Sequence, residues 1–297
     1  MIPTARHNHC PRNDPALASH RRSEHSRQFL TVANCWADLT LVLAICLSVG
    51  CSTIERACLY QPLAYPGGNW QAPPGLLVED AWFQAADGTK LHGWFAPCAA
   101  PKAVILFAHG RAGNVTTPAQ QLGEFCLRHQ VAVMIFDYRG FGRSEGIPSE
   151  EGLYQDARAA RDWLAKRSGT APSEIVLMGR SLGAAVVVEL AANDGAKGLI
   201  LECAFASLPK LIQHHARGLP ADWLVSSKFD SLSKIERYAG PLLISHGSKD
   251  CLIPFEHAEL LFDAANRPKQ LVPIPAAGHQ TPPSDEYHRI LDEFLGN

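Results

Sequence analysis

The sequence predicts an α/β fold: a mostly parallel sheet with helices on both faces, opened by an antiparallel hairpin. Three observations predict it. Short unbroken apolar runs recur at 103–108, 131–136, 174–178, 198–201, 241–245 and 270–274, the pattern of strands buried on both faces. Helical periodicities separate them at 118–129, 150–167, 182–193, 207–216, 255–265 and 284–295. Ahead of both, alternating runs at 76–84 and 91–95 flank Asp87-Gly88, a hairpin signal.

The helix at 150–167 illustrates the reading. Leu153, Ala157, Ala160 and Leu164 fall on one stripe, and Asp156, Arg158, Asp162 and Lys166 are expected to face elsewhere. Strands alternating with such helices imply parallel pairing through crossovers. No internal repeat interrupts the pattern after residue 76, so 76–297 is expected to be one domain.

Composition narrows the function. Of 297 residues, 46% are hydrophobic and 19% charged, enough to bury a sizeable core. The net charge of −2 and the absence of a basic run exclude the footprint of a nucleic-acid binder. The nine cysteines show no CxxC pair and no zinc-type spacing. Cys58, Cys98, Cys126, Cys203 and Cys251 read as small buried hydrophobes, with a Cys58–Cys98 disulfide as the alternative in an oxidising compartment.

Residues 1–50 are a different kind of chain. A polar, His- and Arg-rich stretch gives way to an apolar run at 39–50. Those 12 residues are too few to span a bilayer, which takes about 20, but suit the core of a secretory signal. Gly50 before Cys51 resembles the bacterial lipoprotein signal, in which the cysteine is lipidated and becomes the new N-terminus; Ser48 and Asp38 depart from that pattern. The resemblance implies a leader over 1–50 and a lipid anchor at Cys51, hence a protein of the bacterial cell envelope; the alternative is a leader of no such function on a cytoplasmic enzyme. Residues 51–75, with Pro62, Pro66, Gly67, Gly68, Pro73, Pro74 and Gly75, read as a tether.

The chemistry is carried by Gly179-Arg180-Ser181-Leu182-Gly183, which follows the run 174–178 and opens the helix 182–193. Chance supplies a GxSxG pattern fairly often; strand before and helix after make it a tight turn that lifts the Ser181 hydroxyl clear of the sheet. A serine hydroxyl needs a base and an acid to orient that base. Asp250 follows the strand 241–245, and His279 follows the strand 270–274 in a small-residue loop, in the chain order Ser, acid, His. The rivals are weaker. Glu202 is the back-up acid, Asp230 and Asp263 lie in or beside helices, His246 is expected to shape its turn, and His214, His215 and His288 sit on helices. The loop His109-Gly110-Arg111-Ala112-Gly113-Asn114 follows the strand 103–108, and the N–H groups of Arg111 and Leu182 would form an oxyanion hole. His109 and Asn114 are expected to brace that loop. Asp137-Tyr138-Arg139-Gly140-Phe141-Gly142-Arg143-Ser144 reads as structural, with substrate contact by Arg143 as its rival role.

Together with Leu201-Glu202-Cys203-Ala204-Phe205-Ala206-Ser207, Phe229-Asp230-Ser231-Leu232 and the HGxxD turn at 246–250, these motifs resemble the small-lid α/β hydrolases of the serine-aminopeptidase-like group. That group also includes membrane-associated protein depalmitoylases. The resemblance covers about 76–295 and implies the α/β-hydrolase fold with a minimal lid and a Ser181–Asp250–His279 triad. Arg111 departs from the small polar residue usual there, and Cys251 directly follows the acid. In the short lid segment, Trp223, Leu224 and Val225 are expected to line an acyl pocket or pack in the core. The expected activity is hydrolysis of a carboxylic ester or thioester of a small or acylated substrate through an acyl-enzyme. No metal or organic cofactor is implied. An acyltransferase with the same triad and a non-catalytic envelope lipoprotein are the competing readings.

Overall fold

A computed structural model describes residues 52–218 and 220–296; the apolar run at 39–50 and Cys51 lie outside them. Two strands, β2 (Glu79–Gln84) and β3 (Lys90–Ala96), form the antiparallel hairpin. There follow β4 (Val104–Ala108), β6 (Ala132–Phe136), β7 (Val176–Arg180), β8 (Gly198–Glu202), β9 (Leu242–Gly247) and β10 (Lys269–Ile274). They pair as an eight-stranded sheet in the order β10-β9-β8-β7-β4-β6-β3-β2. Pairing is parallel from β6 through β10 and antiparallel from β6 to β3 and β3 to β2. This is the α/β-hydrolase fold that the motifs imply.

Alternation along each strand builds two cores. On β4, Leu106 and Ala108 join the cluster beneath the helices Glu150–Ser168 and Leu182–Asp194. Ile105 and Phe107 face the opposite cluster, closed by the helices Ala119–His129 and Asp285–Gly296. In Glu150–Ser168, Ser149 accepts from the Gly152 N–H, acidic residues fill the first turn, and Gly169 ends the helix at φ 70°. Leu153, Ala157, Ala160 and Leu164 are fully buried, as their spacing predicts.

Asp156 corrects the expectation that it faces away from the core. It is fully buried, and its carboxylate accepts from Arg139 Nε (3.0 Å), Nη2 (2.8 Å) and backbone N–H (2.8 Å). Burial pushes that carboxyl up, opposed by Arg139. Losing either partner would strand a buried charge, at a cost of about 3–5 kcal/mol. The loop 137–144 is therefore structural, and Arg143 stacks on Tyr65 and Trp70 and pairs with Asp80 at 3.2 Å.

The segment expected as a tether carries structure of its own. A helix, Ser52–Leu59, leads into Tyr60, which is buried in the core, and into β1 (Gln61–Pro62). β1 pairs in parallel with β5 (Ala112–Gly113), inside the loop after β4. Glu55 accepts from the backbone N–H groups of Ser226 (2.9 Å) and Ser227 (2.7 Å). Among the described residues Cys58 and Cys98 form no disulfide with each other, and Cys98, Cys126, Cys203 and Cys251 are free thiols. No helix among the described residues is long and apolar enough to cross a membrane.

Candidate active site

Six parallel strands deliver their carboxyl ends to one edge of the sheet, where open α/β sheets gather ligand-binding loops. Ser181 directly follows β7 at φ 55°, ψ −117°, a backbone conformation that ordinary L-residues rarely adopt. It is held there from both sides: Ser181 N–H donates to Glu202 O (2.9 Å), and its own carbonyl accepts from Ala184 N–H (3.0 Å). The flanking glycines are required by close approach. A Cβ on Gly183 would collide with the carbonyls of Ala108 and His109, and one on Gly179 with the Gly183 carbonyl. The GxSxG spacing is thus a packing requirement between β4, β7 and the helix Leu182–Asp194.

Asp250 sits in the turn after β9 and His279 in the loop after β10. Their loops are stitched together, Lys249 N–H donating to Ala277 O (2.9 Å) and Ala276 N–H to Ser248 Oγ (2.9 Å). His279 Nδ1 lies 2.7 Å from Asp250 Oδ2. The other oxygen, Oδ1, accepts from the N–H groups of Leu252 and Ile253, each at 2.9 Å. Burial raises the Asp250 pKa, but the hydrogen bonds of His246 and His279, the His279 charge and the Ile253 N–H outweigh it and hold the carboxyl below its ordinary value. A depressed carboxyl contributes stability above the unfolded value of about 3.9, and that contribution is lost as pH falls below it. Near neutrality Asp250 is a carboxylate and can only accept. His279 Nδ1 therefore carries the proton, and in the neutral ring Nε2 is a bare base.

Ser181 and His279 line one cavity of about 680 Å³, together with Arg111 and the walls of the loop after β4. Leu182, as the first helical residue after Ser181, has an N–H with no intrahelical acceptor. The loop bearing Arg111 is braced as expected. Asn114, fully buried, donates from Nδ2 to Leu63 O (2.8 Å) and Gly67 O (2.9 Å), and Tyr138 donates its hydroxyl to His109 O (2.8 Å). His109 is buried at 3% exposure, its Nδ1 2.8 Å from Gly110 O, and burial lowers its pKa, so the ring stays neutral.

The rival residues have other tasks. Glu202 accepts from the Tyr287 hydroxyl (2.8 Å) and lies 3.9 Å from Arg180 Nη1. His246 donates from Nε2 to Ile253 O (2.7 Å), shaping the acid turn. His215 bonds Leu252 O, His288 bonds His129, and Asp230 caps Ser233. Trp223 corrects the lid expectation: at 91% exposed it neither lines the cavity nor packs in the core, whereas Val225 packs partly against the core.

Two residues escaped the sequence reading. Arg180 donates from Nη2 to the His279 carbonyl (2.7 Å), tying the histidine loop to the serine turn. It occupies a variable place of GxSxG, so the motif carries no signal for it. Cys203, at φ 47°, places Sγ 3.9 Å from His279 O, and burial pushes its thiol up to about 12. Cys203, Asp250 and His279 offer ligand atoms within 4.8 Å of one another. The Asp250–His279 hydrogen bond already engages two of them, and the protonated thiol supplies no thiolate.

Comparisons with known proteins agree with the fold. The profile of a family described as serine aminopeptidase, S33 matches residues 99–232. The chain is 33% identical to the uncharacterized protein YfhR of Escherichia coli K12, covering 78% of this chain and 84% of that protein. It is 34% identical to the uncharacterized protein Rv2307c of Mycobacterium tuberculosis, over 80% and 85% of the two chains. Among solved structures, the Pyrococcus furiosus esterase Pf2001 superposes with a TM-score of 0.67 at 19% identity, covering 80% of this chain and 96% of that one.

Proposed function

The chain belongs to the serine aminopeptidase S33 family of α/β hydrolases, and from that premise we propose that it hydrolyses carboxylic esters or thioesters through an acyl-enzyme on Ser181. The observation that carries this reading is the 2.7 Å Asp250–His279 hydrogen bond at the rim of the cavity that Ser181 also lines.

In this reading Ser181 Oγ attacks the carbonyl carbon while His279 Nε2 takes its proton. The N–H groups of Arg111 and Leu182 bind the developing oxyanion, each contributing about 3–4 kcal/mol in the transition state. His279, now an imidazolium held by Asp250, returns the proton to the leaving alcohol or thiol as the tetrahedral intermediate collapses. Water then attacks the acyl carbonyl while His279 takes its proton, and as the C–Oγ bond breaks His279 gives that proton to Ser181 Oγ, releasing the acid.

The test is pre-steady-state hydrolysis of p-nitrophenyl acetate. A burst of one p-nitrophenolate per active enzyme is expected wherever deacylation is the slower step, with acetyl recovered on the Ser181 peptide after acid quench. A burst with no acetyl on that peptide would rule out an acyl-enzyme on Ser181.

We also propose that Cys51 carries a lipid anchor, on the strength of the apolar run at 39–50 and Gly50 before it. Expressed in a bacterium with lipoprotein processing, the full chain is expected in the membrane fraction and Cys51→Ser in the soluble fraction. Equal membrane retention of both would remove the anchor.

A further inference from the structure

Four glutamines line the cavity beside Ser181 and His279, and with Gln120 bonded to Glu124, three are unaccounted for. Gln61 comes from β1, Gln121 from the helix Ala119–His129, and Gln280 follows His279 directly. None of their side-chain amides makes a hydrogen bond among the described residues. The charged groups of the same walls are engaged: Arg111 Nη1 donates to Cys58 O (2.8 Å), Arg180 Nη2 to His279 O (2.7 Å), and Glu124 accepts from Gln120 (3.3 Å). What the cavity offers a ligand is therefore a set of neutral amides, each both donor and acceptor. A hydroxyl group has the same dual character. Several amides set around one nucleophile match an alcohol that carries several hydroxyls.

The acyl side is bounded by the same walls. Apolar and polar surface share these walls about equally, with Phe107, Pro118, Leu252 and Pro282 as the larger apolar members. Burying each methylene of an acyl chain contributes about 0.8 kcal/mol only where the wall is apolar. Beyond those few residues a long chain would strip water from amides without replacing it. Trp223, the aromatic that could have extended an apolar groove from the lid, is 91% exposed and absent from the lining.

We propose that the preferred substrate is a short-chain acyl ester of a polyhydroxylated, sugar-like alcohol, bound through the amides of Gln61, Gln121 and Gln280. This rests on the esterase reading of Ser181 and adds the substrate class to it.

Two matched pairs of esters test it on the full chain. Methyl glucoside monoacetate and cyclohexyl acetate share an acyl group and a six-membered ring and differ in hydroxyls. Acetate and palmitate esters of p-nitrophenol share a leaving group and differ in chain length. The sugar ester is expected to be favoured at least tenfold in kcat/KM over cyclohexyl acetate, and p-nitrophenyl acetate at least tenfold over the palmitate. In Gln121→Leu and Gln61→Leu, both exposed positions, the sugar-to-cyclohexyl ratio is expected to fall toward one. Equal or reversed preference in either pair, or an unchanged ratio in both variants, overturns the substrate class and leaves the esterase reading standing. Turnover of none of the four esters takes down the esterase reading and this inference with it.

Discussion

Ser181→Ala is expected to lower kcat by roughly five to six orders of magnitude while leaving the protein folded. The catalytic loss follows from the loss of the attacking oxygen, because the residual cavity can only hold the ester near water. The tolerance of the fold follows from the geometry. Ser181 makes no side-chain cap to the helix Leu182–Asp194, and its turn is held by backbone bonds to Glu202 and Ala184. Alanine keeps the Cβ that already occupies the φ 55° position, so no new strain arises. Steady-state rates with and without the substitution, beside matching urea midpoints, check this; a loss under tenfold would place the nucleophile elsewhere.

Asp250→Asn is expected to lower kcat by about 10⁴-fold with little change in KM. The carboxylate accepts from His279 on one oxygen and from Leu252 and Ile253 N–H groups on the other. Those two N–H donors force an asparagine to turn its oxygen toward them and its NH₂ toward His279. The imidazole must then accept at Nδ1 and carry its proton on Nε2, where it can no longer take one from Ser181. The developing imidazolium also loses its counter-charge. Nδ1 and Nε2 chemical shifts of His279 in the variant report the tautomer directly. An unchanged tautomer with an unchanged rate would show that Asp250 has no part in orienting the base.

Much of this was legible in the sequence, for physical reasons that differ by element. Strands buried on both faces leave continuous apolar runs, so β4, β6, β7, β8, β9 and β10 lie within three residues of their expected bounds. The Ser, acid, His order could be read because each residue follows a strand that announces itself. The residues 52–75 could not. An eight-residue helix has too few turns to show a period, and Pro62, Pro66 and Gly67 read as loop. What holds the segment is distant in sequence: Glu55 on Ser226 and Ser227, β1 on β5, and Asn114 on Leu63 and Gly67. Asp156 failed for a related reason. Its charge suggests solvent, and only the fold brings Arg139 to it. Trp223 sits on a four-residue helix whose outward face no pattern reveals. The polar lining of the cavity is assembled from β1, the helix Ala119–His129 and the His279 loop, three segments that share no motif.

Activation of Ser181 as a nucleophile by His279 and Asp250 is tested by a fluorophosphonate probe read by peptide mass spectrometry. The wild-type chain is expected to take up one phosphonyl group, on the peptide containing Ser181, with labelling slowed in Asp250→Asn and absent in Ser181→Ala. An unlabelled wild type, or equal labelling of wild type and Ser181→Ala, would contradict it.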